Sequence, residues 1–204
     1  VSPFPDKVIT GMRELPHTDA QFEREIGVTS LGGEKGFTTL EKLWTRPTCE
    51  VNGMLSGYTG DGAKTVLPAK AMAKVSCRLV PNQDPDAIVA EFRKFVAEKA
   101  PKGIAVTLRV LSSGPAILVD PSHPAIQVAA RAFSEELGKP TVFTRSGGSI
   151  PVVGDFARYL GVPSILMGFG LPDDGLHSPN EKYSVANYYT GIKTIAHFLK
   201  EYGK

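Results

Sequence analysis

The stretch Gly168-Phe169-Gly170-Leu171-Pro172-Asp173-Asp174-Gly175-Leu176-His177-Ser178-Pro179-Asn180-Glu181-Lys182 separates two segments of opposite character. Before it, the apolar run Val162-Pro163-Ser164-Ile165-Leu166-Met167 reads as a buried strand. After it, Ser184 to Tyr202 reads as a helix. A long loop leading from the carboxyl end of a strand is where open α/β sheets bind ligands. Two carboxylates, a histidine, an asparagine and a glutamate crowd into the nine residues from Asp173 to Glu181. Carboxylates and a neutral imidazole are ligands for zinc or manganese. The same residues also suit a solvated loop with a capping Asp and one His, and residue types alone leave both readings open.

Working back from that loop, Ser122 to Leu137 reads as a helix stopped by Gly138, Thr141 to Thr144 as a short strand, and the residues after Ser149 as a helix ending at Leu160 before Gly161. This helix–strand rhythm is that of a partial α/β layer. It begins after Ser112-Ser113-Gly114-Pro115, the best boundary in the chain. The expected organisation is therefore residues 1–115 and 116–204 as separate domains.

The first domain reads differently. Thr18 and Thr38 each open a capping-box pattern, with Gln21 and Glu41 three residues on. Cys49 to Tyr58 and Thr65 to Val80 read as two strands around a glycine-rich turn. Asp84 and Pro85 start a helix with an apolar stripe of Ile88, Val89, Phe92, Phe95 and Val96. Ile104 to Leu111 alternates as another strand. Strands with covering helices predict an α+β layer around an antiparallel sheet. Trp44 is expected in a core or interface.

Bulk properties exclude several classes. The chain has 204 residues, 42% hydrophobic and 22% charged, which matches neither a disordered nor a membrane protein. A net charge of +2 with scattered Lys and Arg makes no case for nucleic acid. The two cysteines, Cys49 and Cys77, are no disulfide framework and are expected as reduced core residues. The chain shows no signal peptide, so the expected setting is cytoplasmic. It opens on Val1, so its natural amino terminus is expected to lie upstream. Of the four histidines, His17 and His123 precede helices as capping or surface groups, and His197 sits inside the last helix.

Two rival motifs fail. Gly60-Asp61-Gly62-Ala63-Lys64-Thr65 suggests a phosphate loop, but Ala63 stands where glycine is required before Lys-Thr. Ser149, His177 and Asp173 suggest a serine hydrolase, but no Gly-x-Ser-x-Gly elbow exists.

Four segments stand in order: Gly62-Ala63-Lys64-Thr65-Val66-Leu67-Pro68, Arg78-Leu79-Val80-Pro81, Gly147-Gly148-Ser149-Ile150-Pro151 and Gly170 to Lys182. Together they resemble the carboxyl-terminal part of the aminoacylase/carboxypeptidase family of zinc peptidases, nearest its carnosine-dipeptidase-like branch. The resemblance implies metal-assisted hydrolysis of a small peptide or N-acyl amino acid with a free carboxylate. It implies two divalent metal ions, zinc before manganese or cobalt, with His177 as a ligand; Asp173 and Asp174 are weaker ligand candidates, expected to shape the loop or to orient the ligand. It implies that Arg78, Gly148 and Ser149 hold the substrate's carboxyl end. It implies a homodimer through residues 1–115, a lid in which Thr65 reaches the partner's site and helps hold the reacting carbonyl oxygen. The family's other metal ligands belong to an amino-terminal half, so this stretch by itself is expected to be inactive. The alternative is a non-catalytic lid and dimerisation module. Ser146 stands where the branch often has glutamate.

Overall fold

A computed structural model describes residues 12, 13, 15, 17–146 and 150–204. The chain divides into two compact units, Val1–Ile117 with Arg145–Gly154, and Leu118–Thr144 with Asp155–Lys204.

Helices form where the sequence supplies both a start and a stop. In the first unit α1 spans Asp19–Ile26, α2 Thr39–Thr45 and α3 Pro85–Lys99. The Thr18 hydroxyl accepts from the Gln21 amide, and Gly27 ends α1 at φ 70°. The Asp84 carboxylate accepts from the Asp86 amide at 2.9 Å, and Pro85 follows as the first residue of α3. The full reciprocal box is made at α2. Thr38 Oγ1 accepts from the Glu41 amide at 3.3 Å, while Glu41 Oε2 accepts from the Thr38 amide at 2.7 Å. Glu41 Oε1 also accepts from Arg13 Nε and Nη2 at 3.0 and 2.8 Å. Burial pushes the Glu41 carboxyl up, but the Thr38 amide and Arg13 outweigh it and hold it below its ordinary value. Trp44 is half-buried beside fully buried Thr45.

The sheet is a two-stranded antiparallel ladder of β1 (Thr48–Ser56) and β2 (Ala71–Arg78). Thr48 pairs with Arg78 and Ser56 with Ala71, and the register shifts between Val51 and Gly53. That shift is a β-bulge, and it matters because one extra residue changes which side chains share a face. With it, Cys49, Val51 and Met54 share a face with Cys77, Val75 and Ala73. That face is only lightly covered, so Val51, Met54 and Val75 are exposed, and so are Cys49 and Cys77. The cysteines are therefore not the core residues that their apolar neighbours predict. The strand containing Thr65 also begins later than expected, at Ala71, so Thr65 lies in the loop before β2. Pro68, which has no amide hydrogen to donate to a ladder, falls in that loop.

In the second unit α4 (Pro124–Leu137) packs on α6 (Val185–Tyr202). Small side chains allow the approach. Ala125, Ala129 and Ala132 recur along one face of α4 and are buried, as are Gly191 and Thr194 on α6. The His123 ring caps α4 through Nδ1, which accepts from the Ala125 amide. On α6, His197 reaches Glu135 at 3.1 Å and Glu136 at 3.6 Å on α4. Helix α5 (Pro151–Asp155), which belongs to the first unit as far as Gly154, continues as a single π turn over Phe156–Leu160, ended by Gly161 at φ 65°.

Three expected strands are not formed among the described residues. Ile104 to Leu111, Thr141 to Thr144 and Val162 to Met167 carry no ladder among them. An apolar run satisfies side-chain preferences, but a strand also needs a neighbouring backbone to take its N–H and C=O groups. The class is mixed α/β as expected, with helices and an antiparallel pair.

Candidate functional site

The loop from Phe169 to Lys182 is anchored at its start by the α4–α6 pair. The Phe169 ring stacks on Phe133 of α4 with centroids 5.1 Å apart. The same ring lies where a side chain on Gly191 would stand, 3.3 Å from an added Cβ. Any larger residue at 191 would require the Phe169 ring to shift by a few tenths of an ångström. Asn187 on α6 donates from its amide nitrogen to the Phe169 carbonyl at 2.8 Å. Phe169, Asn187 and Gly191 thus set where the loop departs, and none stands out in the sequence as more than a core or helix residue.

Beyond Phe169 the loop builds itself. Asp174 Oδ2 accepts from the Leu171 amide at 2.7 Å, and the Asp174 amide donates back to the Leu171 carbonyl at 3.1 Å. The Asp174 carbonyl then accepts from the Lys182 amide at 2.9 Å, which closes the loop at its far end. Asp174 is 2% exposed, and its Oδ1 has no hydrogen-bond partner among the described residues. Asp173 pairs with the Lys182 ammonium on the surface. That hydrogen bond and charge hold the Asp173 carboxyl below its usual range and raise Lys182. Both aspartates therefore shape the loop.

His177 sits within this frame, exposed, with a left-handed backbone at φ 61°. Its amide donates to Glu181 Oε2 at 3.4 Å, and the neighbouring Ser178 amide donates to the Gly175 carbonyl at 3.0 Å. A side-chain-bearing residue in the left-handed region costs free energy, and such residues gather at functional loops. Asn180 is the second one here, at φ 61°. Among the described residues no group of three or more His, Cys, Asp or Glu side chains converges to hold a metal. A catalytic metal typically takes three protein ligands, so these residues do not by themselves make a metal site.

The other site residues belong to the first unit. Arg78 is the last residue of β2, exposed and paired across the ladder with Thr48. A shallow depression beside it is lined by Thr48, Cys49, Cys77, Leu79, Gln83 and Ile88. Gln83 Oε1 accepts from the Val80 amide at 2.9 Å and holds the turn that follows Arg78. Thr65 is exposed in the 57–70 loop. Gly148 and Ser149 lie outside the described residues.

Residues 10–201 match the peptidase family M20/M25/M40, and the chain belongs to that family. It is 36% identical to the Cys-Gly metallodipeptidase DUG1 of Candida albicans over 173 residues, 81% of this chain and 35% of that protein. It is 29% identical to the Beta-Ala-His dipeptidase of Homo sapiens over 79% of this chain and 32% of that protein. The structure of an M20 family metallo-carboxypeptidase from Sulfolobus solfataricus superimposes with a TM-score of 0.82 at 27% identity, covering 98% of this chain and 46% of that one. The chain therefore spans between about a third and a half of the length of these relatives.

Proposed function

We propose that the chain is the carboxyl-terminal part of a metal-dependent hydrolase acting on a small peptide or N-acyl amino acid with a free carboxylate, a dipeptide by preference. The family match over residues 10–201 carries this reading, and dipeptidases among the relatives favour the dipeptide. His177 is assigned as a ligand of a two-metal centre, zinc before manganese or cobalt, whose other ligands come from outside these residues. Its exposed place on an anchored, left-handed loop supports the assignment. Arg78 is assigned to the substrate carboxylate, since a guanidinium fork fits a carboxylate with two parallel hydrogen bonds. Gly148 and Ser149 are assigned to the same carboxyl end. Residues 1–115 form the lid and dimerisation domain and 116–204 the catalytic part. Thr65 would act across that homodimer on the reacting carbonyl oxygen. A cytoplasmic setting fits the free thiols of Cys49 and Cys77.

A second reading, a non-catalytic lid and dimerisation module, is favoured by the exposed apolar pair Leu55 and Met72 on the other face of the ladder. One experiment separates the two. The purified chain alone should not hydrolyse Cys-Gly, and light scattering should show a dimer. Adding the separately expressed amino-terminal half of the Candida albicans relative should restore hydrolysis that a chelator stops. His177→Ala should abolish the rescue and keep the dimer. Chelator-sensitive hydrolysis by the chain alone would show that the ligand count is wrong, and no rescue would favour the module.

A further inference from the structure

Cys49 and Cys77 are the only cysteines in the chain, and the proposed hydrolysis uses neither. They stand directly opposite each other in the β1–β2 ladder, flanked by the pairs Thr48–Arg78 and Glu50–Ser76. Residues opposed in this way have Cα atoms about 4.5 or 5.5 Å apart, according to whether the pair exchanges hydrogen bonds. Both separations fall inside the roughly 4.4–6.8 Å range that a disulfide spans. Opposed side chains also share a face of the ladder. Both are exposed and free, so a small reagent can reach them. Sequence separation hides the pair, because the 57–70 loop lies between the strands.

We propose that Cys49 and Cys77 form a thiol–disulfide exchange site that closes to a cross-strand disulfide on meeting a low-molecular-weight disulfide such as oxidised glutathione. In the first step Cys49 loses its proton and its sulfur attacks one sulfur of the small disulfide. A mixed disulfide forms on Cys49, the small S–S bond breaks, and the departing thiolate takes up a proton. In the second step deprotonated Cys77 attacks the Cys49 sulfur and expels the second small thiolate, which is protonated in turn. The protein thiols lose two electrons and two protons, and the small disulfide gains both to become two thiols. Partial desolvation first, and then the neighbouring Cys49 and Glu50, push the Cys77 thiol up. It is still held beside the mixed disulfide by the ladder, so closure is intramolecular and outruns capture of a second small disulfide. The closed form staples the end of β1 to the end of β2 that carries Arg78.

The test uses the whole chain. It is incubated with oxidised glutathione, the remaining thiols are alkylated, and intact mass and an unreduced peptide map are read. The expected product is lighter by two hydrogen atoms, takes no alkyl group and yields a peptide joining Cys49 to Cys77. It should exceed the doubly glutathionylated form by at least about tenfold, as intramolecular capture requires. Cys77→Ser should stop at one glutathione on Cys49. Unreacted thiols, glutathione on both cysteines or disulfide-linked pairs of chains would each overturn the proposal.

Discussion

The α4–α6 pair and the segment 162–167 belong to the same compact unit, and both are rich in apolar residues. Their outcomes differ. Ala132 and Thr194 are 1% and 0% exposed between the helices, whereas Val162 and Leu166 are 50% and 63% exposed. A helix closes its hydrogen bonds within itself and needs only one face covered. A strand needs a neighbouring backbone along its whole length, and segment 162–167 finds none among the described residues. The β1–β2 hairpin marks the intermediate case: its backbones pair, but its apolar face stays exposed. The contrast separates parts of the fold that are paired or covered among the described residues from parts that are not. The proposed metal ligand follows an unpaired segment, while Arg78 ends a paired strand.

The largest effect should come from supplying a partner. Hydrogen exchange on the chain alone should show the α4 and α6 amides protected and those of Val162 to Met167 close to unprotected, since exposed, unladdered backbone opens at almost no cost. Mixing with the amino-terminal half of the Candida albicans relative should protect Val162 to Met167 strongly and change α4 and α6 little. Strong protection in the chain alone would break the comparison.

A smaller effect tests the completed side. In the active assembly Arg78→Lys should lower kcat/KM at least about tenfold, about 1.4 kcal/mol of transition-state binding. The melting temperature should change much less than kcat/KM, because lysine keeps a cation at the exposed end of β2. A substrate amidated at its carboxyl end should be insensitive to the change. Equal losses for acid and amide would remove the carboxylate role.

The smallest effect concerns the α2 box. Thr38→Ala should cost about 1 kcal/mol of stability, as lost N-caps do. The folded Glu41 carboxyl lies below its ordinary value of 4.5. Its contribution is therefore complete above that value and disappears as pH falls through the lower folded value. Glu41→Gln should flatten this acid limb in thermal melts recorded from neutral pH downward. An unchanged limb would mean that Arg13 and the Thr38 amide do not stabilise the folded state through Glu41.

What the sequence determined by itself is local. The starts at Thr18, Thr38, Asp84 and Ser184 and the stops at Gly27, Gly138 and Gly161 were legible, because caps act over three or four residues. The family was legible because four ordered motifs, the loop after Met167 among them, resemble it, and the match over residues 10–201 agrees. Only the tertiary structure decided that Thr65 lies in a loop, that Phe169 is pinned by Asn187 and Gly191, and that the bulge after Val51 selects one face. It alone brought Cys49 opposite Cys77, and it alone left three apolar runs without a ladder among the described residues. Periodicity records which side chains prefer burial, whereas pairing and burial depend on which distant backbone arrives to meet them.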